Sequence, residues 1–154
     1  MKVRDVMTSN VKSCWPETNL AEVAKMMWEN DCGILPVING AGKLIGTITD
    51  RDIAIAVGTK NRLASEITVG EVMPQGVVVT ALADEDVKSA LKTMRGAAVR
   101  RLPIMDSGGI VRGIVSMNDI LLQARPDLRD PSYEDIVSTF KGICEHQTTR
   151  TATA

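Results

Sequence analysis

The chain has 154 residues, 44% hydrophobic and 24% charged, with a net charge of −1. That is enough apolar content for one domain or two small halves sharing a core, and too little charge imbalance to draw in nucleic acid or a membrane. No apolar leader opens it, no run approaches membrane-spanning length, and Cys14, Cys32 and Cys144 are too few and too scattered for a secreted disulfide scaffold; the expectation is a cytoplasmic protein.

Val11 to Cys14 predicts a short strand ended by Pro16. Leu20, Val23, Ala24 and Met27, with Trp28 widening the stripe, predict an amphipathic helix from Leu20 to Glu29, and Asn19 with Glu22 a capping box. Ile34 to Ile38 and Leu44 to Thr49 flank the turn Asn39-Gly40-Ala41-Gly42 as a hairpin. A helix from Asp50 through Ile53, Ala54 and Val57 is expected to stop at Gly58. After a connector to Thr68 the same order returns. Val77 to Thr80 reads as a strand, and a helix buries Val87, Ala90, Leu91 and Met94. A hairpin runs from Leu102 to Met105 and from Ile110 to Ser116, and a helix begins over Asn118 to Gln123. From Pro126 the chain leaves the pattern, with a helix from Tyr133 to Cys144 whose stripe Ile136, Val137, Phe140 and Ile143 should pack on something. The tail Thr148 to Ala154 is expected to be disordered.

Pro36, Gly46 and Asp52 recur as Pro103, Gly113 and Asp119, each 67 residues later, and Asp5-Val6-Met7 recurs as Glu71-Val72-Met73 at an offset of 66. Two copies of so long a period do not make a solenoid. They predict two half-domains about a pseudo-twofold axis, with any cleft at their seam. The ordered set of marks, from the leading Val-Met through Leu-Pro and the strand glycine to the closing Thr-x-x-Asp or Ser-x-x-Asp, resembles a tandem pair of CBS domains, the Bateman module. The resemblance covers about residues 1 to 124. It implies an α/β (α+β) fold of two β-α-β-β-α repeats, at 1–62 and 63–125, and leaves 126–154, read from its own pattern as a C-terminal helix and flexible tail, unexplained.

Thr49-x-x-Asp52 and Ser116-x-x-Asp119 have two readings. Each is a capping box, or the same helix N-terminus offers N–H donors and a positive dipole end to a phosphate while the carboxylate spans the cis hydroxyls of a ribose. The resemblance implies the second, with an adenine slot at Ser13, Cys14, Ile34, Leu35, Pro36, Thr80, Ala81, Leu102 and Pro103. Arg51, Arg100 and Arg101 are phosphate candidates or, alternatively, solvated surface charges. The first half lacks arginines corresponding to Arg100 and Arg101, so unequal sites are expected. Sharper chemistry fails. Gly40-x-Gly42 with Gly46 has the wrong spacing for a dinucleotide loop and lies between strands. His146 alone cannot build a histidine triad, Cys144-x-His146 is too little for a metal, and Asp50 with Asp52 fits a helix start.

The expectation is therefore no catalytic residue, no metal site and no required cofactor. The chain reads as a stand-alone regulator taking AMP, ADP, ATP or S-adenosylmethionine between its repeats and signalling to an unidentified protein partner, with no nucleic acid or membrane partner. The resemblance also implies a homodimer, for which the stripes centred on Met27 and Met94 are either the surface or internal core. The rival is a structural interaction module with vestigial clefts; a third reading pairs Cys14 with Cys32 on oxidation.

Overall fold

The computed structural model describes residues 1–125 and 131–145. In the first half, α1 (Leu20–Glu29) starts where the Asn19 side chain accepts from the Glu22 N–H at 2.9 Å. It buries Leu20, Val23 and Met27, whereas Ala24 and Trp28 face outward, Trp28 with 87% of its surface exposed. The apolar stripe is thus narrower than its sequence suggests. β2 (Ile34–Ile38) and β3 (Leu44–Thr49) form the antiparallel hairpin. α2 (Asp50–Lys60) runs straight through Gly58 and ends at Asn61, which takes the left-handed conformation (φ 51°). The stop at Gly58 is corrected: asparagine can supply the same C-terminal cap as glycine.

The second half carries β4 (Ala81–Leu82), α4 (Val87–Ala97), β5 (Arg101–Met105), β6 (Val111–Ser116) and α5 (Met117–Gln123). α4 buries Val87, Ala90, Leu91 and Met94, as its periodicity predicts. The leading strands differ from expectation. Val11 to Cys14 reaches the hairpin only at Cys14, a parallel bridge to Val37, and Val77 to Thr80 form no strand; pairing begins at Ala81 opposite Ile104.

The halves exchange their leading segments. β1 (Thr8–Ser9) pairs antiparallel with β6, so a strand from the start of the chain edges the sheet β1-β6-β5-β4. Val3 is fully buried in the core of the second half, with Met1, Val6 and Met7 packed against it. Reciprocally, Ile67 and Val69, at the start of α3 (Val69–Val72), are buried in the core of the first half beside Val72 and Met73. This explains both repeated glycines. A Cβ on Gly46 would sit 2.8 Å from the Met73 sulfur; one on Gly113 would lie 3.1 Å from the Met7 sulfur and overlap the Thr8 carbonyl. The Met of each leading motif therefore closes over the glycine of the opposite half.

Met27 and Met94 are both internal core, at 5% and 0% exposure, which resolves their two readings. α6 (Tyr133–Cys144) packs mainly on α4, burying Ile136 and Thr139 with Phe140 and Ile143 half-buried, while Val137 faces solvent. Its register is held by Arg95 Nη1 donating to Ser138 Oγ at 2.9 Å and by Lys88 beside Asp135 at 3.3 Å. The break at Pro126, His146 and the tail from Thr148 lie outside the described residues. No helix among the described residues is long and apolar enough to cross a membrane.

Candidate functional site

Two clefts open at the seam, each against the N-terminus of a closing helix. The Thr49 cleft, about 650 Å³, lies between the start of α2 (Thr49, Asp50, Arg51), the loop 74–79, and the segment 98–101 leading into β5. The Ser116 cleft, about 440 Å³, lies between the start of α5 (Ser116, Asn118, Asp119), the loop 8–12, and the segment 30–35 leading into β2. The walls correspond through the repeat offset. In each, the helix exit turns through a left-handed residue, Ala98 (φ 52°) or Asp31 (φ 47°). Both volumes suit a small-molecule ligand.

The helix starts are superimposable in their bonding. Thr49 Oγ1 accepts from the Asp52 N–H at 3.2 Å, while Asp52 Oδ2 accepts from the Thr49 N–H at 2.9 Å and its hydroxyl at 2.7 Å. Ser116 and Asp119 repeat this at 3.2, 2.8 and 2.7 Å. So do Ser132 and Asp135 on α6, at 3.2, 2.9 and 2.9 Å. That third box lines neither cleft; its carboxyl is held below the usual range by bonds from the Ser132 N–H and hydroxyl and by Lys88. The cap is thus a helix device first. What singles out the other two is the cavity in front of them.

Ser116 and Asp119 both line their cleft. Thr49 lines its own, but Asp52 is not among the cleft walls, although its carboxylate closes the same cap as that of Asp119. Arg51, Arg100 and Arg101 converge on the Thr49 cleft, and Arg101 reaches the Ser116 cleft as well. Ile34 borders both clefts and Pro103 the Thr49 cleft. Ser13, Cys14, Pro36, Thr80, Ala81 and Leu102 line neither; all but Ser13 and Thr80 are buried in the halves. In their place stand Val11 and Lys12 on one side and Val77, Val78 and Val79 on the other, with Val77 97% exposed. The Val77-Val78-Val79 run was a usable signal, since so apolar a segment outside a sheet needs something to cover it. Ile143 of α6 also lines the Thr49 cleft, which no repeat pattern could have indicated.

Charge separates the clefts. Arg51, Arg100 and Arg101 face only Asp50 in one, while Lys12 and Arg101 face Asp31 and Asp119 in the other. Burial pushes the Cys14 thiol up to about 11, with the charge of Glu22 adding to it, and burial also raises Cys32. Both thiols therefore stay protonated at neutral pH, which disfavours thiolate chemistry. Among the described residues no group of His, Cys, Asp and Glu is placed to hold a metal.

The CBS domain model matches this chain twice, over residues 3–58 and 69–124. An uncharacterized protein of Methanopyrus kandleri, MK0525, is 37% identical over 125 residues, spanning 81% of this chain and 60% of that protein. The CBS domain-containing protein YhcV of Bacillus subtilis is 34% identical over 118 residues, spanning 77% of this chain and 81% of its own. Among solved structures, the CBS domain pair of protein MJ0100 in complex with 5′-methylthioadenosine and S-adenosyl-L-methionine is 29% identical with a TM-score of 0.72, covering 79% of this chain and 94% of that one. CBSX2 in complex with AMP is 25% identical with a TM-score of 0.65, covering 79% and 93%. Two halves that exchange their leading segments, two corresponding seam clefts and two matched segments lead to one assignment: this chain belongs to the CBS domain family and carries a tandem CBS pair.

Proposed function

We propose that this protein is a regulatory sensor of an adenosine-containing ligand, and that the Thr49 cleft takes the phosphorylated form. The observation that carries this reading is the convergence of Arg51, Arg100 and Arg101 on a cavity at a helix N-terminus. Guanidinium forks and the helix dipole act in the same direction on a phosphate. The apolar wall of Val77, Val78, Val79 and Val99 suits the base. The Ser116 cleft, with balanced charge and Asp119 on its wall, suits an uncharged or cationic adenosine. The adenosine compounds bound by MJ0100 and CBSX2 support the ligand class.

The chain itself catalyses nothing in this reading. Ligand shifts the angle between the halves by as much as it prefers one arrangement, and a protein partner or the second copy in a cytoplasmic homodimer reads the change. The exposed Trp28 beside Ile53 and Ala54 gives the dimer a surface on α1 and α2. A purely structural module is the second reading, favoured by the Asp52 carboxylate being spent on its cap.

Thermal melting against AMP, ADP, ATP, S-adenosylmethionine and no ligand tests this. Ligand at about 100 times its Kd adds about 2.7 kcal/mol, or about 2–4 °C per kcal/mol for a chain of this length. Asp119→Ala, on the wall of the Ser116 cleft, should lose that cleft's shift; Asp52→Ala, which loosens the helix start facing the Thr49 cleft, should lessen the other; and Asp135→Ala, which breaks the same kind of cap away from any cleft, should melt lower and keep the shift. A flat response to every compound, or equal loss of shift in all three variants, sinks the proposal in favour of the structural module.

A further inference from the structure

We infer that α6, which lies outside both matched CBS segments, is a working wall of the Thr49 cleft, so that filling this cleft holds the C-terminal helix down. The inference rests on the ligand-binding reading above. Ile143 is the α6 residue that lines the cleft, together with Ala98 and Val99, and no α6 residue lines the Ser116 cleft. The side chain is only half-buried, so apolar surface remains for a ligand to cover.

A second path joins the same elements. α6 docks on α4 through Arg95, whose guanidinium donates to Ser138 and whose stem crosses Gly142 so closely that a Cβ there would lie 2.6 Å from Arg95 Cγ. Arg95 stands in the last turn of α4, and the chain leaving that turn, Ala98 to Arg101, also lines the cleft. A ligand gripped by Arg100 and Arg101 and resting on Ile143 therefore contacts the helix and its seat at once. Such a ligand binds the docked form better than the undocked form, and the coupling is reciprocal: loosening α6 must weaken the ligand by the same factor. Among the described residues no α6 side chain lines the Ser116 cleft, and α6 meets that cleft's closing helix α5 far less than it meets α4, so the coupling should be weaker there.

Three variants of the full chain test this with ATP as the probe: Gly142→Val, which meets the Arg95 stem without touching a cleft residue; the milder Ile143→Ala; and Arg100→Ala, which removes a cleft charge and leaves α6 alone. Circular dichroism checks that each folds. The expected result is slower amide exchange in α6 on adding ATP, and a Kd weaker by about 5-fold or more in Gly142→Val and Ile143→Ala. ATP binding that is lost in Arg100→Ala yet unchanged in both α6 variants, with α6 exchange unaltered, overturns the inference and leaves the ligand-binding reading standing. Absence of ATP binding in the unaltered protein overturns the inference together with that reading's phosphate site.

Discussion

The two clefts share a backbone and differ in what is hung on it. Each has a capped helix start, a left-handed exit turn and a loop from the exchanged leading segment. Yet Arg100 and Arg101 of one stand where the β2–β5 correspondence puts Gly33 and Ile34 in the other, and Asp31 of the second is answered by Ala98 in the first. Gly33 is itself constrained, since a Cβ there would meet the Asp50 carboxylate at 2.7 Å and the Arg101 guanidinium at 3.4 Å. The repeat thus keeps the frame that makes a cleft, while the charge of each cleft is set at wall positions where the two halves differ.

The sharpest way to break this comparison is through the arginines. Replacing Arg100 and Arg101 together by Ala should cost a phosphorylated ligand on the order of 1.5–3 kcal/mol per charge-assisted bond lost, at least 10-fold in Kd. Unphosphorylated adenosine should lose less, through Arg101 at the Ser116 cleft alone. Calorimetric titration with ATP and adenosine reads both. Arg101→Ala alone should alter both clefts and Arg100→Ala one; equal behaviour of the two single variants would erase the proposed asymmetry.

A smaller effect compares the halves through their glycines. Gly113→Ala drives a methyl into the Thr8 carbonyl, a backbone atom, and should destabilise by about 1–3 kcal/mol in urea unfolding. Gly46→Ala meets the Met73 thioether, which can swing aside, and should cost less. A reversed order would mean that the exchanged segments are held differently from this packing.

The smallest concerns acid. Glu71 accepts from the Thr68 N–H and from Arg62, which together lower its pKa from 4.5 to about 2. A carboxyl depressed in the folded state stabilises above its unfolded pKa, and the benefit fades as pH falls from about 4.5 towards 2. Solvent screens this exposed group, so Glu71→Gln should flatten only slightly the acid limb of a pH–stability curve.

Helices and hairpins were legible because their apolar periods and turns are local. The helix caps at Asn19, Thr49 and Ser116 were legible for the same reason. Val11 to Cys14 and Val77 to Thr80 misled because β-rich composition states what a segment tolerates, and pairing partners decide where a strand starts. Exchange of the leading segments joins residues more than 100 apart, Thr8 with Ile114, and leaves no local trace. At the clefts, the placement of Thr49, Ser116, Asp119 and the arginines could be read from chemistry, whereas Asp52 lines neither cleft. Ile143 could not, because its place in the cleft depends on how Gly142 lets α6 settle on Arg95.

The exchange also sets a timetable for synthesis. Residues 1–9 leave the ribosome well ahead of their partners: the β-partner Ile114 and the core that swallows Val3 are made about a hundred residues later. At about 5–20 residues per second, that leaves seconds in which Val3, Val6 and Met7 stay uncovered. The first half waits as well, since Ile67, Val69 and Met73 must arrive to close it. Each half thus completes its core with residues from the other's leading segment, and a chain cut before β6 leaves β1 without its strand partner.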